Sequence, residues 1–100
     1  MSQFASLSEF YPYYLSEHGN RTCRRLHFVG TSLVIGCVLM VVLSGDFSWL
    51  LIALMCGYGF AWVGHFFFEN NKPATFRYPF LSFASDWVMY KDIWTGRIPF

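Results

Sequence analysis

Two apolar runs without a single charge limit what this chain can become. No Asp, Glu, Lys or Arg occurs from Leu26 to Gly45 or from Phe47 to Phe68, and the short polar break Ser44-Gly45-Asp46 joins the two runs. Each run approaches or exceeds the roughly 20 residues a helix needs to cross about 30 Å of hydrocarbon. With 55% hydrophobic and 13% charged residues, the chain cannot cover a water-soluble globule of 100 residues with polar surface. The reading is a single all-α integral membrane domain over residues 1–100. Its core is a two-span antiparallel helical hairpin, flanked by N- and C-terminal interfacial amphipathic helices. A hydrophobic core hairpin in a soluble oligomer is the alternative, and the length of the runs weighs against it.

Around this hairpin the sequence divides into four pieces: an interfacial helix in 1–20, spans at 21–43 and 47–68, and a second interfacial helix at 76–95. In the first piece Phe4, Leu7, Tyr11 and Tyr14 recur at three- and four-residue steps, and Ser6 with Glu9 has the spacing of a capping box. Pro12 predicts two short pieces or a bend there, because an interior proline loses a helical hydrogen bond. Gly19-Asn20 closes this piece, and Asn20 or Thr22 is placed to cap the next helix. The second span carries Ala53, Gly57, Ala61 and His65 at four-residue spacing; such a small-residue stripe reads as helix packing in lipid, apart from the histidine. Asn70-Asn71-Lys72-Pro73 ends it. Beyond it, Phe80, Phe83, Trp87, Tyr90 and Trp94 form an aromatic stripe, with Asp86, Lys91 and Asp92 at other positions, the pattern of a helix lying at the headgroup level.

All seven basic residues lie outside the hairpin on the side of the termini, while the loop between the spans carries only Asp46. The positive-inside rule then puts both termini in the cytoplasm, at the inner membrane of a bacterium or the endoplasmic reticulum of a eukaryote. No basic run supports nucleic-acid binding. Cys23, Cys37 and Cys56 show no CxxC spacing, so neither a disulfide framework nor a structural zinc site is expected. A homo-oligomer is compatible with this plan and nothing in the pattern requires one.

Chemistry is suggested by the histidines. Measured along the helices from the polar break, His27 and His65 lie about 25 and about 28 Å away, so the hairpin brings both imidazoles to one depth. Ionisable side chains within apolar helices are costly and usually functional. His18 ends the first piece, and the Gly19-Asn20 break lets it turn toward the same level. Glu69 is four residues after His65 and shares its face. Three imidazoles and a carboxylate suit Fe(II), Mn(II) or Zn(II) and leave coordination positions open. Two other readings stand: a haem held between two histidines, and an assembly or structural subunit without chemistry, which leaves the clustering unexplained.

The run Gly64-His65-Phe66-Phe67-Phe68-Glu69-Asn70-Asn71-Lys72-Pro73-Ala74-Thr75-Phe76, followed by Tyr78-Pro79 and Ser82 to Asp86, resembles a small membrane family formerly of unknown function. Tyr14-Leu15-Ser16-Glu17-His18, Asn20, Arg25-Leu26-His27-Phe28 and Gly30-Thr31 match it as well, and Gly96-Arg97-Ile98-Pro99-Phe100 looks like its bacterial ending. The characterised fungal member is an Fe(II)-dependent dioxygenase of the endoplasmic reticulum acting in fatty-acid α-oxidation. The resemblance implies that this chain, a short bacterial form, uses O2 to cleave a long-chain 2-hydroxy fatty acid to CO2 and the acid one carbon shorter. It further implies His18, His27 and His65 as iron ligands, and Glu69 as a fourth ligand or an outer partner. Arg25, Lys72 and Arg77 are candidates for the substrate carboxylate, although basic residues at an interface also meet lipid phosphates. Asn71, Thr75 and Asp86 are candidates for orienting the ligands from behind; each is equally placed to cap a turn or helix.

Overall fold

Capping side chains fix where the helices begin. The computed structural model describes residues 4–71 and 76–100. Ser6 opens α1 (Leu7–Ser16), its hydroxyl accepting the Glu9 N–H at 3.4 Å. The Glu9 carboxylate accepts the Ala5 N–H at 2.8 Å, so the capping box closes one residue earlier than its usual form. Of the two outcomes expected at Pro12, two separate pieces are not found: a single helix runs through it. The carbonyl that Pro12 leaves without a donor is that of Ser8, and both residues are exposed, so the orphan acceptor faces outward rather than into the core.

Asn20 caps α2 (Arg21–Ser44), accepting from the N–H groups of Thr22 at 2.9 Å and Cys23 at 3.2 Å. Gly45 ends it in the left-handed region at φ 71°, with its N–H on the Val41 carbonyl at 2.8 Å. The chain then returns as α3 (Trp49–Val63), which runs directly into a π-helical segment, Gly64–Glu69. Both arms are long and apolar enough to cross a membrane, and only 17% of each apolar window is buried within the protein. The arms come closest at two glycines. A Cβ on Gly30 would stand 2.9 Å from Phe60 Cβ and 3.1 Å from the Cys56 carbonyl; one on Gly64 would stand 2.9 Å from Cys23 Sγ. The stripe Ala53, Gly57, Ala61, expected to serve ordinary packing, does so in part, since Ala53 is buried and a Cβ on Gly57 would stand 3.2 Å from Val34 Cγ2; it also lines a cavity between the arms and α4. Its small side chains leave that space open.

Helix α4 (Pro79–Trp94) starts with proline at its first position, where no N–H is required. It turns its small and polar side inward: Ser82, Ser85, Met89 and Asp92 are buried at steps of three and four. The aromatic stripe divides: Phe80 and Trp94 are 88% and 68% exposed, whereas Tyr90 stacks on Phe28 of α2 at 4.9 Å and bonds the Ser32 hydroxyl at 2.9 Å. On the inner side, Phe10, Tyr14, Tyr78, Met89 and Ile93 form the core that binds α1 to α4. Phe4 and Phe10 meet edge to face at 5.2 Å, as do Phe10 and Tyr78 at 5.3 Å. Two tyrosines of α1 donate to aspartates of α4, Tyr11 to Asp92 at 2.8 Å and Tyr14 to Asp86. The N-terminal stripe thus packs against α4 and sets the turn after it over the end of the hairpin. The described residues contain four α-helices and no strand.

Candidate metal centre

Three imidazoles meet where α1, α2 and the π-helical segment converge. His18 Nε2 lies 3.1 Å from His27 Nε2 and 3.0 Å from His65 Nε2. All three side chains are buried. Their outer nitrogens are each committed to an oxygen. His18 Nδ1–H donates to the Tyr14 carbonyl at 2.7 Å and His27 Nδ1–H to the Cys23 carbonyl at 3.0 Å. His65 Nδ1–H donates to Asn71 Oδ1 at 2.8 Å. The orientation of the Asn71 amide is itself fixed, because its Nδ2 donates to the Glu17 carbonyl at 3.3 Å and the Glu17 carboxylate at 2.9 Å.

This pattern decides the tautomers. A carbonyl oxygen can only accept, so each Nδ1 carries the proton and each Nε2 presents a lone pair. Three lone pairs pointed at one another across about 3 Å repel unless a cation sits among them. Burial, reinforced by the neighbouring His27 and opposed by the Tyr14 carbonyl, holds His18 well below the ordinary histidine range, so it stays neutral. Neutral imidazole is the form that binds metal. Metal–nitrogen bonds run about 2.0–2.1 Å for zinc, so nitrogens about 3 Å apart are spaced as adjoining ligands of one ion. The donor set therefore fits a single metal.

Cys23 is the fourth potential donor within 4.8 Å. Its sulfur lies 3.8 Å from His27 Nδ1, on the ring edge already engaged with the Cys23 carbonyl, whereas the edge turned toward the other imidazoles is Nε2. Its place beneath Gly64 marks it as a packing residue. Glu69 stands outside the donor group; its carboxylate accepts the Asn20 N–H and so ties the π-helical segment to the start of α2.

Of the remaining expected site residues, Asn71 is brought to His65. Asp86 lines the cavity and accepts from Tyr14, whose ring stacks on His18 at 4.0 Å between centroids. Neither Arg25, set over the Phe100 ring at 5.0 Å, nor Arg77, over Tyr78 at 5.5 Å, lines the cavity. Lys72 and Thr75 lie outside the described residues. Sequence reasoning passed over Tyr14, which both receives the His18 proton and stacks on its ring. It also missed Arg24, which donates to the His18 and Gly19 carbonyls at 3.0 and 2.9 Å and to the Pro99 carbonyl at 3.3 Å, pinning the His18 turn to the C-terminal segment.

The cavity has a volume of about 430 Å³. His18, His27 and His65 sit in its wall at one end. From them it extends between Thr31, Val34 and Val38 of α2 and Ala61, Gly57 and Ala53 of α3, reaching Leu54 and Leu50. From His65 to Leu50 the helix covers about 22 Å. Phe83 and Trp87 of α4 complete the wall. A long apolar cleft with its few polar groups gathered at one end suits an amphiphile whose head reaches the histidines.

These features define a class of all-helical protein: a hairpin of two long apolar helices with three buried histidines at one end. The model of the Mpo1-like family, described as 2-hydroxy-palmitic acid dioxygenase Mpo1-like, matches residues 4–98, and the chain belongs to that family. No curated protein and no solved structure matches the chain.

Proposed function

We propose that this protein is an integral membrane, Fe(II)-dependent dioxygenase that converts a long-chain 2-hydroxy fatty acid to CO2 and the fatty acid one carbon shorter. The observation that carries the proposal is the convergence of three Nε2 lone pairs, at 3.0 and 3.1 Å, on the polar end of an apolar cavity. Family membership supports the reaction class. Membrane residence is supported by outward-facing apolar surface such as Val42 and Leu43, 75% and 77% exposed, together with the exposed Phe80 and Trp94 of α4. Basic residues on the side of the termini favour a cytoplasmic metal end.

His18, His27 and His65 would hold the iron. Three neutral nitrogen ligands leave positions open, and the chemistry bound Fe(II) supplies is activation of O2 beside a chelated hydroxy acid. The chain's own residues orient and exclude. Tyr14, Cys23 and Asn71 accept the Nδ1 protons and hold the rings in place. Helices α2 and α3 take the acyl tail along Val34, Gly57 and Ala53. The overall balance is a 2-hydroxy acid plus O2 giving the shortened acid, CO2 and water, so no organic co-substrate is needed. A haem between two histidines is disfavoured, since the third nitrogen, 3.0 and 3.1 Å from the other two, stands where the porphyrin would have to lie. Glu69, by its bond to Asn20, supports the site from outside.

The test is anaerobic purification in detergent, metal quantification, and an assay for O2-dependent CO2 release from 2-hydroxyhexadecanoic acid. Stoichiometric iron without a Soret band, with CO2 released only when O2 is admitted, is the expected result. A Soret band, or a metal-free protein without turnover, contradicts it.

A further inference from the structure

The histidines account for only part of the polar surface at the head end of the cavity. Across from them, on α4, Ser82 and Asp86 both line the same cavity one helical turn apart. Ser82 is only 2% exposed, and its hydroxyl has no hydrogen-bond partner among the described residues. A buried hydroxyl without a partner forfeits the hydrogen bonds it made to water and is rare enough to need a cause. Asp86 is oriented by the Tyr14 hydroxyl, and the Tyr14 ring lies on His18, so the carboxylate is one phenol ring away from the metal-facing imidazoles. The rest of the α4 contribution to the wall is aromatic, Phe83 and Trp87. An apolar tail has no use for a serine hydroxyl and a carboxylate at this point; an oxygen-rich head has.

Resting on the reaction proposed above, we infer that Ser82 and Asp86 form the subsite that recognises the substrate head and selects a 2-hydroxy acid over the unsubstituted acid. Asp86, an acceptor, takes the hydrogen of the C2 hydroxyl. Ser82, a donor, serves the substrate carboxylate, which Asp86 alone would repel. A fatty acid lacking the hydroxyl leaves the Asp86 oxygen desolvated and unpaired, and a site built to bond a hydroxyl discriminates strongly on that account. Ser85, buried and likewise without a partner among the described residues, does not line the cavity and has no part in this selection.

The experiment measures equilibrium binding of 2-hydroxyhexadecanoic and hexadecanoic acids, with iron content and helicity, for the detergent-solubilised full chain and its Ser82→Ala, Asp86→Asn and Ser85→Ala variants. The wild type is expected to prefer the hydroxy acid. Asp86→Asn, which replaces a charged acceptor by a neutral one, should cut that preference about tenfold. Ser82→Ala should weaken both acids together, while Ser85→Ala should leave the preference unchanged. Iron content should be unaltered in all of them. A wild type that does not prefer the hydroxy acid, a preference that survives unchanged in Asp86→Asn, or a Ser82→Ala variant that binds both acids as tightly as the wild type overturns the inference, whether or not the protein releases CO2. If the preference falls as expected but the wild type releases no CO2, the subsite stands and the reaction proposal fails.

Discussion

At the scale of single residues, orientation matters more than identity. Asn71 is bonded to both His65 and Glu17, so Asn71→Ala frees the His65 ring. Loss of such a supporting bond typically costs about 10–100-fold in metal affinity; competition with a calibrated chelator checks this. Glu69 gives the opposite expectation. Because its carboxylate accepts the Asn20 N–H just ahead of α2, Glu69→Ala should keep stoichiometric metal and lower stability by about 1–3 kcal/mol. Loss of metal in that variant would make Glu69 a ligand after all. Asp86 provides a pH signature. Burial raises its carboxyl from 3.8 to about 6, only partly offset by the Tyr14 hydroxyl. A raised folded-state value means its favourable contribution is complete below pH 3.8 and is lost as pH rises through about 6. Asp86→Asn removes that loss, so it should stabilise the fold at pH 7.5 by on the order of 1–3 kcal/mol and have little effect near pH 4. Thermal melts in detergent at the two pH values decide it; an equal shift at both would show that the charge is not what costs stability.

At the scale of elements, sequence alone exposed the hairpin and the level of its histidines, and left hidden the local geometry that aims them. Helical rise is uniform, so counting from Ser44-Gly45-Asp46 puts His27 and His65 at one depth whatever the packing. The π-helical segment Gly64–Glu69 was beyond reach, because a single wider turn leaves no mark in composition or period. Gly64, against which Cys23 packs, lets this segment lie close to α2. Gly64→Ala would drive a Cβ to 2.9 Å from that sulfur and 3.2 Å from the Cys23 Cα. Overpacking of this kind costs about 1–3 kcal/mol, and here it displaces the segment carrying His65, so lower metal occupancy should accompany the lower melting point. Retained occupancy would show that the turn adapts. The passage of α1 through Pro12 was also illegible, since it depends on which face the proline takes. Helix α4 could have been read more fully: Ser82, Ser85 and Met89, opposite the aromatics, mark the face that became the inner one.

For the whole molecule, the fold is an apolar cleft with three histidines in its wall at one end. Ala53 lies about 18 Å along the helix from His65 and Ala61 about 6 Å. Filling the cavity at these positions should therefore act in order: Ala53→Phe should admit only shorter acids, and Ala61→Phe should exclude nearly all. A chain-length series assayed by CO2 release reads this directly, and an unchanged length profile for Ala53→Phe would place the tail elsewhere. All of this depends on His18, His27 and His65 sharing one ion. The measurement that addresses it most directly is metal content per chain after anaerobic purification, for the wild type and for His18→Ala, His27→Ala and His65→Ala, with helicity recorded for each. One metal per wild-type chain and near-complete loss in every helical variant is the expected result. Folded wild-type protein without metal, or any of the three variants keeping a full equivalent, would contradict it.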